Sequence, residues 1–198
     1  MNTAYPVHDI TGLILAGGLG RRMGGVDKGL QLHAGRPLVT HVAERLAPQV
    51  GNLLISANRN AESYAALGFP VLADRVEGFA GPLAGLHAGL GACATQLLAT
   101  APCDSPRLPA DLVGRLHAAL LLADAEIAVA ATGTGLHPTF ALMRREVLPS
   151  LDAYLADGHH RMQEWCRSRA LCIVDFADEQ AFANINTLAD LTLLDLNT

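Results

Sequence analysis

Residues Ile10–Leu15 read Ile-Thr-Gly-Leu-Ile-Leu and pass straight into Ala16-Gly17-Gly18. A short, mainly β-branched and leucine run that stops at glycines reads as a strand buried on both faces, as in a parallel sheet. Such a strand must be covered by helices on both sides, and the chain supplies them. A proline-initiated segment, 37–46, places Leu38, Val39, Val42 and Leu46 on one helical face. Strand-like runs follow at 53–57, 70–73 and 97–101, separated by helical patterns at 62–67 and 81–90. A second proline-initiated helix is expected at 109–122, then strands at 127–131 and 139–143 around a flexible Gly133-Thr134-Gly135 turn. Helices at 146–156 and 161–167, the latter short and polar, a strand at Leu171–Asp175 and a closing helix at 188–194 complete the pattern.

Strands alternating with crossover helices predict an α/β fold. The expectation is a single domain with an open, mostly parallel twisted sheet, helices on both faces, and an antiparallel element around 127–143. The chain has 198 residues, 51% of them hydrophobic and 17% charged. A chain of this length buries about 70% of its unfolded surface, which suffices for a sizeable core. No repeat or low-complexity linker divides it. In sheets of this kind ligands bind beyond the carboxyl ends of the strands, so the loops after the first four strands are the ones to inspect.

Charge and composition narrow the classes of partner. Net charge is -5 and the sequence pI is about 5.8, which speaks against a general nucleic-acid binder. Aromatics make up 5% with one Trp, too few for a base-stacking platform. Cys93, Cys103, Cys166 and Cys172 form no C-x-x-C pair, and four unpaired thiols fit a reducing, cytoplasmic setting. Residues 1–6 carry no basic and apolar signal pattern, and the stretch 116–131 is interrupted by Asp124 and Glu126, so no membrane span is expected.

The loop after the first strand is the densest signal. Residues 15–28 hold five glycines with Arg21, Arg22 and Lys28, opposed only by Asp27. Glycines let the backbone approach a ligand and turn N–H groups towards an anion, and the cations add charge, so a phosphorylated ligand is inferred. Lys28 is flanked by Asp27 and Gly29, so a Walker A loop is excluded, and Gly24 arrives one place late for G-x-G-x-x-G. Asp74 ends the third strand and Asp104 follows the fourth between Pro102 and Pro106. Carboxylates beside a polyphosphate need a bridging divalent cation, for which Mg²⁺ is the ordinary choice. The eight histidines form no metal box, and neither H-E-x-x-H nor G-x-S-x-G occurs.

Leu15, Gly18, Gly20, Arg22 and Met23, with Lys28 further on, resemble the L-x-x-G-x-G-x-R-M signature of sugar-nucleotide-type nucleotidyltransferases. Leu15-Ala-Gly-Gly together with Arg22-Met-Gly-Gly-x-Asp-Lys-Gly-Leu30 resembles the molybdenum cofactor guanylyltransferase (MobA) family. The similarity extends through Gly81-Pro-Leu-Ala-Gly85, His137-Pro-Thr139 and Phe182-Ala-Asn-Ile-Asn-Thr187, in order, over residues 10–191. It implies a Rossmann-like nucleotidyltransferase fold and transfer of GMP from GTP to the phosphate of molybdenum-molybdopterin. It implies that Leu15, Ala16 and Gly17 touch the nucleotide and that Arg22 and Lys28 neutralise phosphate charge. Asp74 would contact the nucleoside and Asp104 would hold Mg²⁺. Asn184 and Asn186 would face the molybdopterin, although Asn186-Thr187 before an apolar stretch also reads as a helix cap. Arg161 fits either the second substrate's phosphate or a solvated helix start. Ser56 stands where the family commonly carries Asn. Protein partners in cofactor synthesis and delivery are implied by the resemblance alone. Use of CTP, another phosphorylated acceptor, or a non-catalytic GTP-binding role are the competing readings.

Overall fold

The structure is a computed structural model that describes residues 6–17, 26–74, 81–185 and 190. Strand β1 (Ile10–Leu15) is buried at every position, as its unbroken apolar run requires. It pairs in parallel with β4 (Asn52–Ser56) on one side and β6 (Leu97–Pro102) on the other. β5 (Val71–Leu72) extends the sheet beyond β4, again in parallel. On the far side, β8 (Gly135–Arg144) runs antiparallel to both β6 and β7 (Ile127–Thr132), and β9 (Leu171–Asp175) lies parallel to β7. The seven-stranded order is β5-β4-β1-β6-β8-β7-β9. The sheet is thus mostly parallel with β8 reversed, and the antiparallel element falls within the predicted region.

Helices cover both faces. Val39, Val42 and Leu46 of α1 (Leu38–Leu46) pack with Leu112, Val113, Leu116 and Leu120 of α4 (Leu112–Leu122) into one core layer. The opposite layer joins Leu83, Leu86 and Leu90 of α3 (Pro82–Ala92), Leu151 and Leu155 of α5 (Leu148–Ala156), and Trp165 of α6 (Met162–Arg167). Helix α6 is not the polar helix its charges suggest. Met162, Trp165 and Cys166 sit three and four residues apart and form a buried stripe. Arg161 at its start is exposed and pairs with Glu164 at 2.8 Å, which is the solvated reading. The four cysteines are free thiols.

Two expectations change at the element ends. Pro37 stands one place before α1 as its N-cap, with an extended ψ of 142°, and also pairs with Leu32 in a small hairpin of β2 (Leu32–His33) and β3 (Arg36–Pro37). Ala34 and Gly35, both left-handed, make its two-residue turn. Strand β8 starts four residues before the expected 139, because the 133–134 turn is tight and brings Gly135 directly against Thr132. Of the expected helix at 188–194 the structure describes residue 190 alone, which is helical.

Helix α3 settles close to the sheet through glycines. A Cβ on Gly89 would lie 2.4 Å from Leu13 Cδ2, and Leu13 is fully buried. Gly89→Ala is therefore expected to cost about 1–3 kcal/mol, read as a lowered Tm in thermal unfolding.

Backbone hydrogen bonds carry the parallel ladder one residue past the strands. Ala16 N–H donates to Ser56 O at 2.8 Å, Ala57 N–H to Leu72 O at 2.9 Å, and Cys103 N–H to Leu15 O at 3.1 Å. The carboxyl ends of β1, β4, β5 and β6 are thus locked side by side. Gly17, Asn58, Asp74 and Asp104 all emerge along that one edge.

Candidate active site

Asp104 follows β6 on a segment, 101–106, that is buried throughout. Pro102 and Pro106 restrict its backbone, and the residue is 7% exposed. Burial pushes the Asp104 carboxyl above the usual carboxylate range, against the pull of the Lys28 ammonium. Lys28 Nζ donates to Asp104 Oδ2 at 3.2 Å. Two residues 76 apart in sequence thus form one half-buried ion pair at the sheet edge. The neighbouring Cys103 thiol is driven well above its ordinary value, chiefly by burial. Buried beside Gly29 and Tyr64, it serves as a packing group.

The second cluster surrounds Asp74. Asn58 Nδ2 donates to Asp74 Oδ2 at 2.6 Å, and Asp74 N–H returns a bond to Asn58 Oδ1 at 2.8 Å. Ser56 Oγ adds a longer bond to Asp74 Oδ1 at 3.4 Å. Ser56 is fully buried, wedged where a Cβ on Gly85 would come within 2.5 Å of its hydroxyl. It therefore supports Asp74 from below. Gly17 stands over this cluster, since a Cβ there would lie 3.5 Å from Asn58 Nδ2 and 3.9 Å from Asp74 Oδ2. Leu15 and Ala16 lead to it as the buried end of β1.

A third feature ties the chain's C-terminal block to Asp104. Ile185 N–H donates to Asp104 O at 2.8 Å. The hydroxyl of the buried Ser105 donates to Asn184 Oδ1 at 2.7 Å, a bond that leaves the Asn184 amide group oriented by its oxygen. His137 meets the same region from β8, stacked on Phe182 at 5.0 Å between centroids. Its Nε2 bonds Thr132 Oγ1 at 2.8 Å, so the His137-Pro-Thr139 motif braces the C-terminal block.

Lys28, Asp74, Asp104, Leu15, Ala16, Gly17 and Asn184 are therefore gathered at one edge. Arg22 and Asn186, predicted alongside them, lie outside the described residues, as does Arg21. Asn58 was missed by sequence reasoning. Its only signal is a polar residue two places beyond a buried strand end, opposite another such end. Among the described residues no three His, Cys, Asp or Glu side chains group as a metal cage. What the edge offers a cation is one buried carboxylate, that of Asp104, which Lys28 already contacts through Oδ2.

The MobA-like NTP transferase domain matches residues 12–172. Molybdenum cofactor guanylyltransferase of Bordetella petrii is 52% identical over 190 residues, covering 94% of this chain and 97% of its own length. The crystal structure of molybdopterin-guanine dinucleotide biosynthesis protein A from Archaeoglobus fulgidus has a TM-score of 0.78 at 21% identity. That match spans 94% of this chain and 97% of the other. The crystal structure of Rv0371C from Mycobacterium tuberculosis in complex with manganese has a TM-score of 0.69 at 17% identity, spanning 97% of this chain and all of the other. The two crystal structures share the fold described above, and the Bordetella sequence shares half its residues with this chain over nearly the full length. On that family match and that shared sequence, this chain belongs to the molybdenum cofactor guanylyltransferase family of MobA-like nucleotidyltransferases, as an enzyme.

Proposed function

We propose that the protein transfers GMP from GTP to the terminal phosphate of molybdenum-molybdopterin, releasing pyrophosphate and forming the guanine dinucleotide form of the cofactor. The observation that carries this reading is the Lys28–Asp104 pair at the edge where four strand ends meet, on a chain 52% identical to a molybdenum cofactor guanylyltransferase. An oxygen of the acceptor phosphate attacks the α-phosphorus in line, and the bond from that phosphorus to the pyrophosphate oxygen breaks. The acceptor is itself the nucleophile, so the protein's contribution is positioning and charge neutralisation.

Each residue takes a role that suits its setting. Leu15, Ala16 and Gly17 offer backbone groups to the nucleotide, and Asp74, oriented by Asn58 and Ser56, accepts hydrogen bonds from the nucleoside. Lys28 and Arg22 offset charge gathering on the α-phosphate and the departing pyrophosphate. Asp104 would hold Mg²⁺, an ion that keeps most of its waters and binds through one or two carboxylates plus substrate phosphates, so a single buried carboxylate fits it. The chemistry such a metal would supply there is added positive charge beside the phosphates. Asn184 and Asn186 present amides to the molybdopterin. No helix of the described residues is long and apolar enough to cross a membrane, and the reading places the enzyme in the cytoplasm, handing product on to proteins of cofactor delivery.

Asn58→Ala is expected to raise the KM for GTP roughly tenfold with a smaller change in kcat, because Asp74 loses the bond that orients it. The reading itself is tested by supplying molybdenum-molybdopterin with each nucleoside triphosphate in turn and following pyrophosphate. Release with GTP alone is expected. Faster release with CTP would overturn the base assignment, and GTP binding without pyrophosphate release would point to a regulator.

A further inference from the structure

Asp27 is the one acidic residue in the cationic loop of residues 15–28, and its charge should weaken a phosphate site. Its carboxylate is instead fully engaged. The Tyr64 hydroxyl donates to Oδ1 at 2.5 Å and Asn60 Nδ2 donates to Oδ2 at 2.9 Å. Both partners come from α2 (Ala61–Ala65) and its N-cap, 33 and 37 residues away. The Asp27 carbonyl also accepts from Leu30 N–H at 3.3 Å and from Gln31 Nε2 at 3.3 Å.

On the other side of Lys28, Gly29 is buried. A Cβ there would lie 2.5 Å from Tyr64 Oη and 3.1 Å from Cys103 Sγ. The same phenol therefore fixes the residue before Lys28 by a hydrogen bond and the residue after it by contact. Tyr64 is fully buried. Burial, ahead of its neighbours Cys103 and Asp27, raises the phenol above its ordinary value, so it remains a donor. Asn60 holds a left-handed backbone, φ 53°, and its side chain makes no cap bond to the helix it begins. That amide is given to Asp27.

We propose that Tyr64 and Asn60 are positioning residues for nucleotidyl transfer, holding Asp27 so that the Lys28 ammonium is aimed at the reacting phosphates. The proposal rests on the role assigned to Lys28 above. A side chain with four rotatable carbons is brought to one place by anchoring its backbone on both sides, and a misplacement of about 1 Å is enough to cost two orders of magnitude in rate.

The test is a double-mutant cycle on the full chain with GTP and molybdenum-molybdopterin, with thermal unfolding recorded for every variant. Tyr64→Phe, which removes the hydroxyl alone, is expected to lower kcat about ten- to a hundredfold while the KM for GTP changes less than about threefold. Asn60→Gly, which keeps the left-handed backbone, is expected to lower kcat in the same sense by about three- to tenfold, and it decides the matter if Tyr64→Phe fails to fold. In a Lys28→Ala background neither change should lower the residual rate by more than about twofold. Full activity of both single variants, or an undiminished effect in the Lys28→Ala background, would overturn the positioning role while leaving Lys28's own role standing. A fully active Lys28→Ala enzyme would remove the role of Lys28 itself.

Discussion

Replacing Lys28 with alanine is expected to remove about 10²–10³ of turnover from a protein that stays folded. The ammonium stands at the sheet edge, 3.2 Å from Asp104. An interaction strengthened as charge develops on the leaving pyrophosphate lowers kcat and kcat/KM together when removed. The fold should survive because the side chain is 24% exposed and its loss removes one bond from one buried carboxyl. That loss costs about 1–3 kcal/mol, against the 5–15 kcal/mol that typically holds a domain. The carboxyl also limits the damage by taking up a proton more readily. Steady-state kinetics with circular dichroism checks both halves of the prediction. A variant that turns over like the parent would remove Lys28 from the chemistry.

Asp104→Ala is expected to collapse activity and to change the dependence on divalent cation, since no group of three acidic or histidine ligands among the described residues takes over. An unaltered metal titration would exclude Asp104 from the metal site. Asp104→Asn separates function from stability. The folded carboxyl has a raised pKa, caused first by burial, so its ionised form is worth less in the native state than in the unfolded one. The stability Asp104 lends is fully present below the ordinary carboxylate range and is lost as pH rises through the raised value. Asp104→Asn should therefore unfold at a higher temperature than the parent near neutral pH, with the gain shrinking in acid, while remaining inactive. An inactive yet more stable variant is the signature of a group held for chemistry at a cost to the fold.

The residues that were legible in the sequence are those whose physics is local. Ile10–Leu15 has to be a buried strand whatever surrounds it, and a glycine-rich cationic loop directly after it needs no distant partner to imply a phosphate. Asp104 alone reads as a turn former or helix cap, and only the cationic loop of residues 15–28 turns that reading towards a metal role. What escaped depends on long-range contact. The β2–β3 hairpin has two residues per strand, too few to show alternation. The burial of Met162, Trp165 and Cys166 depends on the sheet beneath them. Asn58 and Tyr64 look like ordinary loop and helix residues until the parallel pairing of β4 with β1 and β5 sets them beside Asp74 and the loop of Lys28. Asp27 reads in sequence only as the one charge offsetting the loop's cations, and its oxygens accept hydrogen bonds from Tyr64 and Asn60.

The most direct measurement is the mass of the pterin product formed when the enzyme is given GTP and molybdenum-molybdopterin. The expected product carries one GMP joined to the terminal phosphate, with one pyrophosphate released for each, and both are lost in Lys28→Ala and Asp104→Ala. A pterin recovered without a nucleotide, or carrying a different one, would contradict the proposed transfer.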